Sequence, residues 1–287
     1  MKREEIFIRD PFILVKDGVY YLTGSRGETV WEDHATGFDG YTSTDLENWD
    51  GPFTLFEKPD DFAEDIHYWA PEIHEYKGEF YIFATTASSS TDRKRGTWIF
   101  KSTSDSPLGP YAVHSNGKVT PVEWNSLDGT LYIAKNGKPY MVFSHEWVDV
   151  ADGQICAVEL SDDLTHAIGQ PWTLFSASDG APIVKPGSNP SIPGDIYVTD
   201  GPFMVRRSED ELIMTWSSFG DGGYNQLIAR SDNGDITGKW TVDQTPLYEN
   251  DGGHGMIFTT LTGEKKLVLH QPNKHPMERP TFLDINI

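Results

Sequence analysis

Five times along the chain, an apolar run headed by a polar residue is followed by a tight turn and a second apolar run. This recurrence restricts the fold more than any other feature. The first instance is Arg9-Asp10-Pro11-Phe12-Ile13-Leu14-Val15, then Lys16-Asp17-Gly18, then Val19-Tyr20-Tyr21-Leu22-Thr23. Asp-Gly between two such runs is the signature of a two-residue hairpin turn. The plan returns in Trp69-Ala70-Pro71-Glu72-Ile73-His74 with its Lys77-Gly78 turn, and in Leu127-Asp128-Gly129 with Asn136-Gly137. It returns again in Asp200-Gly201-Pro202-Phe203, and last in Gly253-His254-Gly255. The leading polar residues are thus Asp10, Glu72, Asp128, Asp200 and His254. Their spacing of roughly 60 residues falls in the range of propellers and related arrays.

Each hairpin is followed by two looser strand-like runs, joined by turns such as Ser43-Thr44-Asp45-Leu46 and Ser161-Asp162-Asp163-Leu164. Five four-stranded antiparallel units predict an all-β, five-bladed β-propeller whose first strands line a central axis. A β-helix has a shorter period and no hairpin inside each repeat. The repeat fills nearly all 287 residues, so a single domain over 1–287 is expected. The fifth unit is short of strands: after His270 only Thr281-Phe282-Leu283-Asp284-Ile285-Asn286-Ile287 remains, and Ile6-Phe7-Ile8 is a candidate to complete or abut it.

With 44 acidic against 23 basic residues, the net charge is −21. That excludes nucleic acid and anionic membranes as expected partners, because both need a basic footprint. The one cysteine, Cys156, has no internal disulfide partner and reads as core packing. The start of the chain, Met1-Lys2-Arg3-Glu4-Glu5, has no apolar signal-peptide core, so a cytoplasmic location is expected unless the natural protein carries a leader. The sequence leaves the oligomeric state open.

If each first strand runs along the axis, Asp10, Glu72, Asp128, Asp200 and His254 converge on one mouth. Carboxyls held close raise one another's pKa, which supplies a proton donor and an ionised acceptor in one pocket. Glycoside hydrolysis needs that pair. Phe12, Tyr68, Trp69, Trp147 and Phe203 offer flat faces to a sugar ring, and His145 beside Glu146 ends a neighbouring strand as a candidate substrate contact. Glu72 is expected to bind substrate or tune charge. His254 reads as metal-linked, directly or through water, with a hydrated calcium as the candidate ion. Acids before Gly or Pro are also ordinary turn residues, and four of them at repeat positions also suit a calcium cluster, but for Asp10, Asp128 and Asp200 the catalytic reading is preferred because their neighbours differ while their repeat position does not.

Taken together, these motifs resemble glycoside hydrolase family 43 across the whole chain. Arg9-Asp10-Pro11-Phe12 looks like the family's opening motif with the general base, and Trp69-Ala70-Pro71-Glu72 is similar to its second-blade motif. Asp128 falls at the aspartate that orients the acid and tunes its pKa. Asp200-Gly201-Pro202-Phe203 falls at the general-acid motif, and Gly253-His254-Gly255 resembles the axial motif often associated with calcium or its waters. The resemblance implies an inverting enzyme acting on arabinose- or xylose-containing glycans, with no cofactor required for the chemistry. It implies Asp10 as base, Asp200 as acid and Asp128 as the residue that positions Asp200. The family usually has glutamate where Asp200 stands, so Glu146 and Glu72 are reserve proton donors. An exo-acting α-L-arabinofuranosidase is the expected activity. β-Xylosidase or endo-arabinanase are the alternatives within the family, and a non-catalytic carbohydrate-binding propeller is the alternative outside it.

Overall fold

A computed structural model describes residues 1–32, 36–90 and 94–287. The chain forms a five-bladed β-propeller. Blade one is built from β1 (Ile8–Lys16), β2 (Val19–Arg26), β3 (Gly37–Ser43) and β4 (Asp50–Glu57). Blade two comprises β5 (Ile66–Tyr76), β6 (Glu79–Ala87), β7 (Gly96–Ser102) and β8 (Tyr111–Val113). Blade three comprises β9 (Ser126–Ile133), β10 (Pro139–His145), β11 (Gln154–Leu160) and β12 (Ala167–Ser176). A separate hairpin, β13 (Gly187–Asn189) and β14 (Ile192–Ile196), precedes blade four, which accounts for the longer step between Asp128 and Asp200. Blade four is β15 (Asp200–Arg206), β16 (Leu212–Gly220), β17 (Gly223–Ser231) and β18 (Trp240–Val242), and blade five is β19 (Gly253–Thr259), β20 (Lys265–Gln271) and β21 (Arg279–Asp284). Within each blade the strands pair antiparallel in chain order.

The turns follow their sequence chemistry. Asp17 and Gly18 take φ of 50° and 79°, and Lys77 and Gly78 take 52° and 81°. Positive φ at both central positions is the type I′ geometry whose twist matches flanking strands. At the Ser43 turn, the serine Oγ accepts from the N–H of Leu46 at 2.9 Å, and Asp45 Oδ1 accepts from the N–H of Asn48 at 2.7 Å. Short polar side chains thereby replace strand hydrogen bonds at the outer corner of the blade.

Blade five differs from the expected four strands: among the described residues it has three. The N-terminal segment abuts it without joining the ladder. Arg279 Nε donates to the Glu4 carbonyl at 2.9 Å, and Ile8 already belongs to β1.

Every pair of adjacent blades encloses its own apolar cluster. Blades one and two share Phe38, Phe56 and Phe100; two and three share Phe83, Met141 and Phe143. Blades three and four share Tyr140, Trp216 and Trp240; four and five share Ile213, Ile257 and Leu269. Trp49, Phe258 and Val268 close the ring between blades five and one. The second strands are apolar on both faces for this reason, as in β10, where all seven residues are buried. Truncating a fully buried side chain such as Trp216 costs about 3–5 kcal/mol in comparable cores. Cys156 is buried in the cluster between blades two and three, as expected.

Candidate active site

The axial strands share one backbone device. In each, two residues of the first strand oppose one residue of the second, between Arg9 and Phe12, Trp69 and Glu72, Leu127 and Thr130, Asp200 and Phe203, and Gly253 and Met256. Such bulges bend a strand and re-aim a side chain. The first bulge residue has positive φ every time: Asp10 54°, Ala70 45°, Asp128 58°, Gly201 51° and His254 48°.

This register corrects the sequence alignment of the repeats. Asp10, Asp128 and His254 are structurally equivalent, but Asp200 precedes its knuckle residue by one and Glu72 follows its own by two. One step turns a strand side chain to the other face. Glu72 therefore occupies the position of Phe12 and Phe203, deeper along the axis, where its Oε2 lies 2.8 Å from His74 Nε2.

The knuckles are tied together around the ring. The N–H of Ala70 donates to Ser25 Oγ (2.8 Å), that of Asp128 to Thr85 Oγ1 (2.9 Å), that of His254 to Ser217 Oγ (2.7 Å), and that of Asp10 to His270 Nδ1 (3.2 Å). Each acceptor stands on the second strand of the preceding blade, opposite the residue before that blade's bulge. Blade four is the exception: the Gly201 N–H donates to the Asp128 carboxylate, Oδ2, at 3.0 Å. Only glycine fits there, since a Cβ on Gly201 would lie 2.6 Å from His254 Cδ2.

A pit of about 480 Å³ opens over these knuckles, lined by Asp10, Asp128, Asp200 and His254, with Trp69, Glu146, Trp147 and Tyr224 among its walls. Asp10 Oδ1 is 3.2 Å from His254 Nδ1, and its Oδ2 accepts from Ser25 Oγ at 2.6 Å. Burial pushes the Asp10 carboxyl up, but His254, Arg9 and the Ser25 hydroxyl more than offset this and hold it below the usual carboxylate range. Burial raises Asp128 to about 8, with repulsion from Asp200 and Asp10 adding to it. Asp200 is also raised, by burial first and then by Asp10, while Tyr224 donates to its Oδ2 at 2.9 Å. His254 is raised because Asp10, Asp128, Asp200 and Glu72 outweigh its burial. One ionised acid thus stands beside two that hold their protons more tightly.

The expected site residues divide between the pit and its supports. Asp10, Asp128, Asp200, His254, Trp69 and Trp147 line it. Phe12 and Phe203 do not: they pack edge to face at 5.8 Å in the core below. His145 is buried behind the wall, stacked on Trp124 at 3.9 Å, and Tyr68 is packed between blades one and two. The calcium expected at His254 has no direct ligand set here. Its Nδ1 faces Asp10 and Asp128, and among the described residues no three His, Cys, Asp or Glu are arranged to hold a metal. No chemical step is derived through such an ion.

Several pit residues carry no repeat signal. Arg9 lies over Trp31 (5.1 Å), Trp31 meets Trp69 edge-on (5.7 Å), and Arg95 lies over Trp69 (5.4 Å). Arg9 Nη1 pairs with Glu278 Oε1 at 2.9 Å, and Arg95 Nε with Glu146 Oε2 at 3.0 Å. Glu146 is pushed up by burial, against Arg95, to about 7. His270 had a readable signal: it replaces the Ser or Thr of the other blades at its position. Burial, then Arg9, lowers it to about 3, so the ring is neutral and its Nδ1 accepts.

A propeller that gathers several acids over one pit brings together the paired carboxyls that glycoside hydrolysis needs. Residues 5–285 match the profile of Glycosyl hydrolases family 43, and the chain belongs to that family. It is therefore a glycoside hydrolase acting on oligo- or polysaccharide. It is 24% identical over 283 residues to the extracellular exo-alpha-(1->5)-L-arabinofuranosidase ArbA of Cellvibrio japonicus, covering 92% of this chain and 74% of that one. It is 22% identical to the extracellular endo-alpha-(1->5)-L-arabinanase 2 of Bacillus subtilis, covering 89% of this chain and 54% of the relative. The endo-arabinase structure from Bacteroides thetaiotaomicron VPI-5482 superposes with a TM-score of 0.90 at 37% identity, over 100% of this chain and 97% of that one. No helix among the described residues is long and apolar enough to cross a membrane.

Proposed function

We propose that the chain is an inverting, exo-acting hydrolase that releases arabinose from arabinose-containing glycans, an α-L-arabinofuranosidase. The observation that carries this is the placement, within one pit, of Asp10, held below the usual carboxylate range by its neighbours, with Asp200, pushed above it by burial. Asp10 takes the proton of a water as that water attacks the anomeric carbon, and Asp200 gives its proton to the departing glycosidic oxygen. Inversion requires the two carboxyls to be separated by roughly 6.5–9.5 Å so that the water fits between them. Asp128 acts through the backbone: by holding the Gly201 N–H it fixes the residue next to Asp200. Trp69, whose Nε1 donates to the Val30 carbonyl at 2.7 Å, is a fixed platform for a sugar face. A calcium at His254, reached through water, is proposed as structural only.

The second reading is endo cleavage of arabinan, favoured by the 37% identity to a protein named an endo-arabinase. Product analysis separates the two. Arabinose as sole early product from linear arabinan, with turnover of p-nitrophenyl α-L-arabinofuranoside, supports exo action. Oligosaccharides as early products support endo action. Preference for the p-nitrophenyl β-xyloside refutes the arabinose assignment, and an NMR time course showing retained anomeric configuration refutes inversion.

A further inference from the structure

The second strand of blade four, β16, is buried from Leu212 to Ser218, and then Phe219 stands 42% exposed on the wall of the pit. Single exposed aromatics are ordinary on protein surfaces, so position and support decide what this one can do. Asp200 pairs with Ser217, and Phe219 pairs with Tyr224. Cross-strand partners share a face, as do residues two apart, so Asp200, Phe219 and Tyr224 stand on one face of the blade. Phe219 is the outer member, about 7 Å nearer the mouth than Asp200 along the strand. Its ring lies 5.2 Å from the Tyr224 ring, whose hydroxyl donates to Asp200 Oδ2 at 2.9 Å. The backbone beneath it is fixed. The Phe219 carbonyl accepts from the Lys185 N–H at 2.9 Å, and a Cβ on Gly220 would lie 2.7 Å from the Ile183 carbonyl oxygen.

We propose that Phe219 is the platform for the sugar unit on the leaving side of the scissile bond. The proton of Asp200 goes to the departing oxygen, so the unit that departs lies against blade four, where Phe219 is the exposed aromatic face. A flat ring covers the apolar C–H face of a sugar and leaves its hydroxyls in water. The ligand class is an oligo- or polysaccharide whose leaving group is itself a sugar, in preference to a glycoside of a small alcohol. Exo and endo action both expel such a group, so the assignment holds for either. The inference rests on the hydrolase reading with Asp200 as acid and adds the residue that selects the leaving group.

The test compares kcat/KM on linear arabinotriose and on methyl α-L-arabinofuranoside in the parent, Phe219→Ala, Phe219→Leu and Phe219→Tyr. Both substrates need a proton on an alkyl oxygen, but a methyl group is too small to reach Phe219. The alanine variant is expected to lose about tenfold on arabinotriose and clearly less on the methyl glycoside. Tyrosine, which keeps the flat face, should restore the parent value, and leucine, which keeps only bulk, should not. Equal losses on the two substrates would mean that Phe219 merely props Tyr224 and Asp200, and would overturn the proposal. So would an alanine or leucine variant with parent activity on arabinotriose. Folding is checked by circular dichroism, and if the alanine variant does not fold, the leucine variant takes its place in the same comparison. A parent that cleaves only xylotriose and methyl β-xyloside overturns the arabinose reading, and the same split on that pair still supports Phe219. A parent that cleaves neither series overturns both.

Discussion

Asp128 accepts a hydrogen bond from the backbone N–H of Gly201, 73 residues along the chain, at 3.0 Å. Its carboxyl therefore holds the peptide that aims Asp200. Asp128→Asn retains the shape and turns an acid into an amide at that contact. The expected result is a fall in kcat on arabinan of roughly 10²- to 10⁴-fold, with a smaller fall on an aryl arabinofuranoside, whose leaving group needs less acid help. Equal losses on both substrates would remove Asp128 from proton donation.

Asp10→Asn and Asp200→Asn should each lower kcat by orders of magnitude with the fold intact by circular dichroism, since both side chains line the pit. Only Asp200→Asn should be relieved by an activated leaving group. If Asp200→Asn hydrolyses natural arabinan at the parent rate, Glu146, held at about 7, is the donor instead.

Gly201→Ala combines a strained φ of 51° with a Cβ 2.6 Å from His254 Cδ2. Destabilisation by more than about 1 kcal/mol is expected in urea unfolding, together with loss of activity as His254 and Asp200 are pushed apart. A fully stable, fully active alanine variant would show that the knuckle is not held as described.

Stability should fall as pH rises through the range in which Asp128 is protonated folded but ionised unfolded. Its folded value is about 8 against 3.8 unperturbed, so the folded state binds the extra proton between them and its stabilising effect is lost toward pH 8. Asp10, lowered on folding, acts in the opposite sense, and its contribution disappears only as pH drops below the ordinary carboxylate range. Melting temperatures from pH 4.5 to 8.5 should decline, and Asp128→Asn should flatten that decline.

His270→Ala removes the acceptor for the Asp10 N–H and leaves that buried donor unpaired, a cost of about 1–3 kcal/mol. A lower melting temperature with reduced kcat and little change in KM is expected. Treatment with EGTA should leave kcat unchanged, because His254 Nδ1 faces Asp10 and Asp128 directly; a calcium-dependent rise in melting temperature, lost in His254→Ala, would locate a structural ion there.

The repeat made the ring readable because a propeller blade must spell out its hairpins: Asp17-Gly18 and Lys77-Gly78 announce turns that the backbone forms. Asp10, Asp128 and Asp200 were legible as members of one mouth for the same reason. The register was not. Pro follows Ala70 and Gly201 as it follows Asp10, but the acid beside it lies two residues late in one strand and one early in another, and only backbone geometry distinguishes these. Phe12 and Phe203 looked like sugar platforms because alternation cannot tell an axial core from an open pit. Glu278, Arg95 and Trp31 come from connections outside the hairpins, where no repeat points to them. The three-stranded fifth blade was foreshadowed by its shortage of residues, though not the way the N-terminal turn leans on it.

The serial fastening of each knuckle to the blade before it, with His270 supplying the last link to Asp10, makes the site a property of the circle rather than of any one segment. Nicking the polypeptide at an outer corner, such as the Ser43 turn, should leave two pieces able to reassemble a working enzyme. Opening the circle between blades five and one should strand Asp10 without its backbone anchor on His270, and so silence an otherwise folded protein.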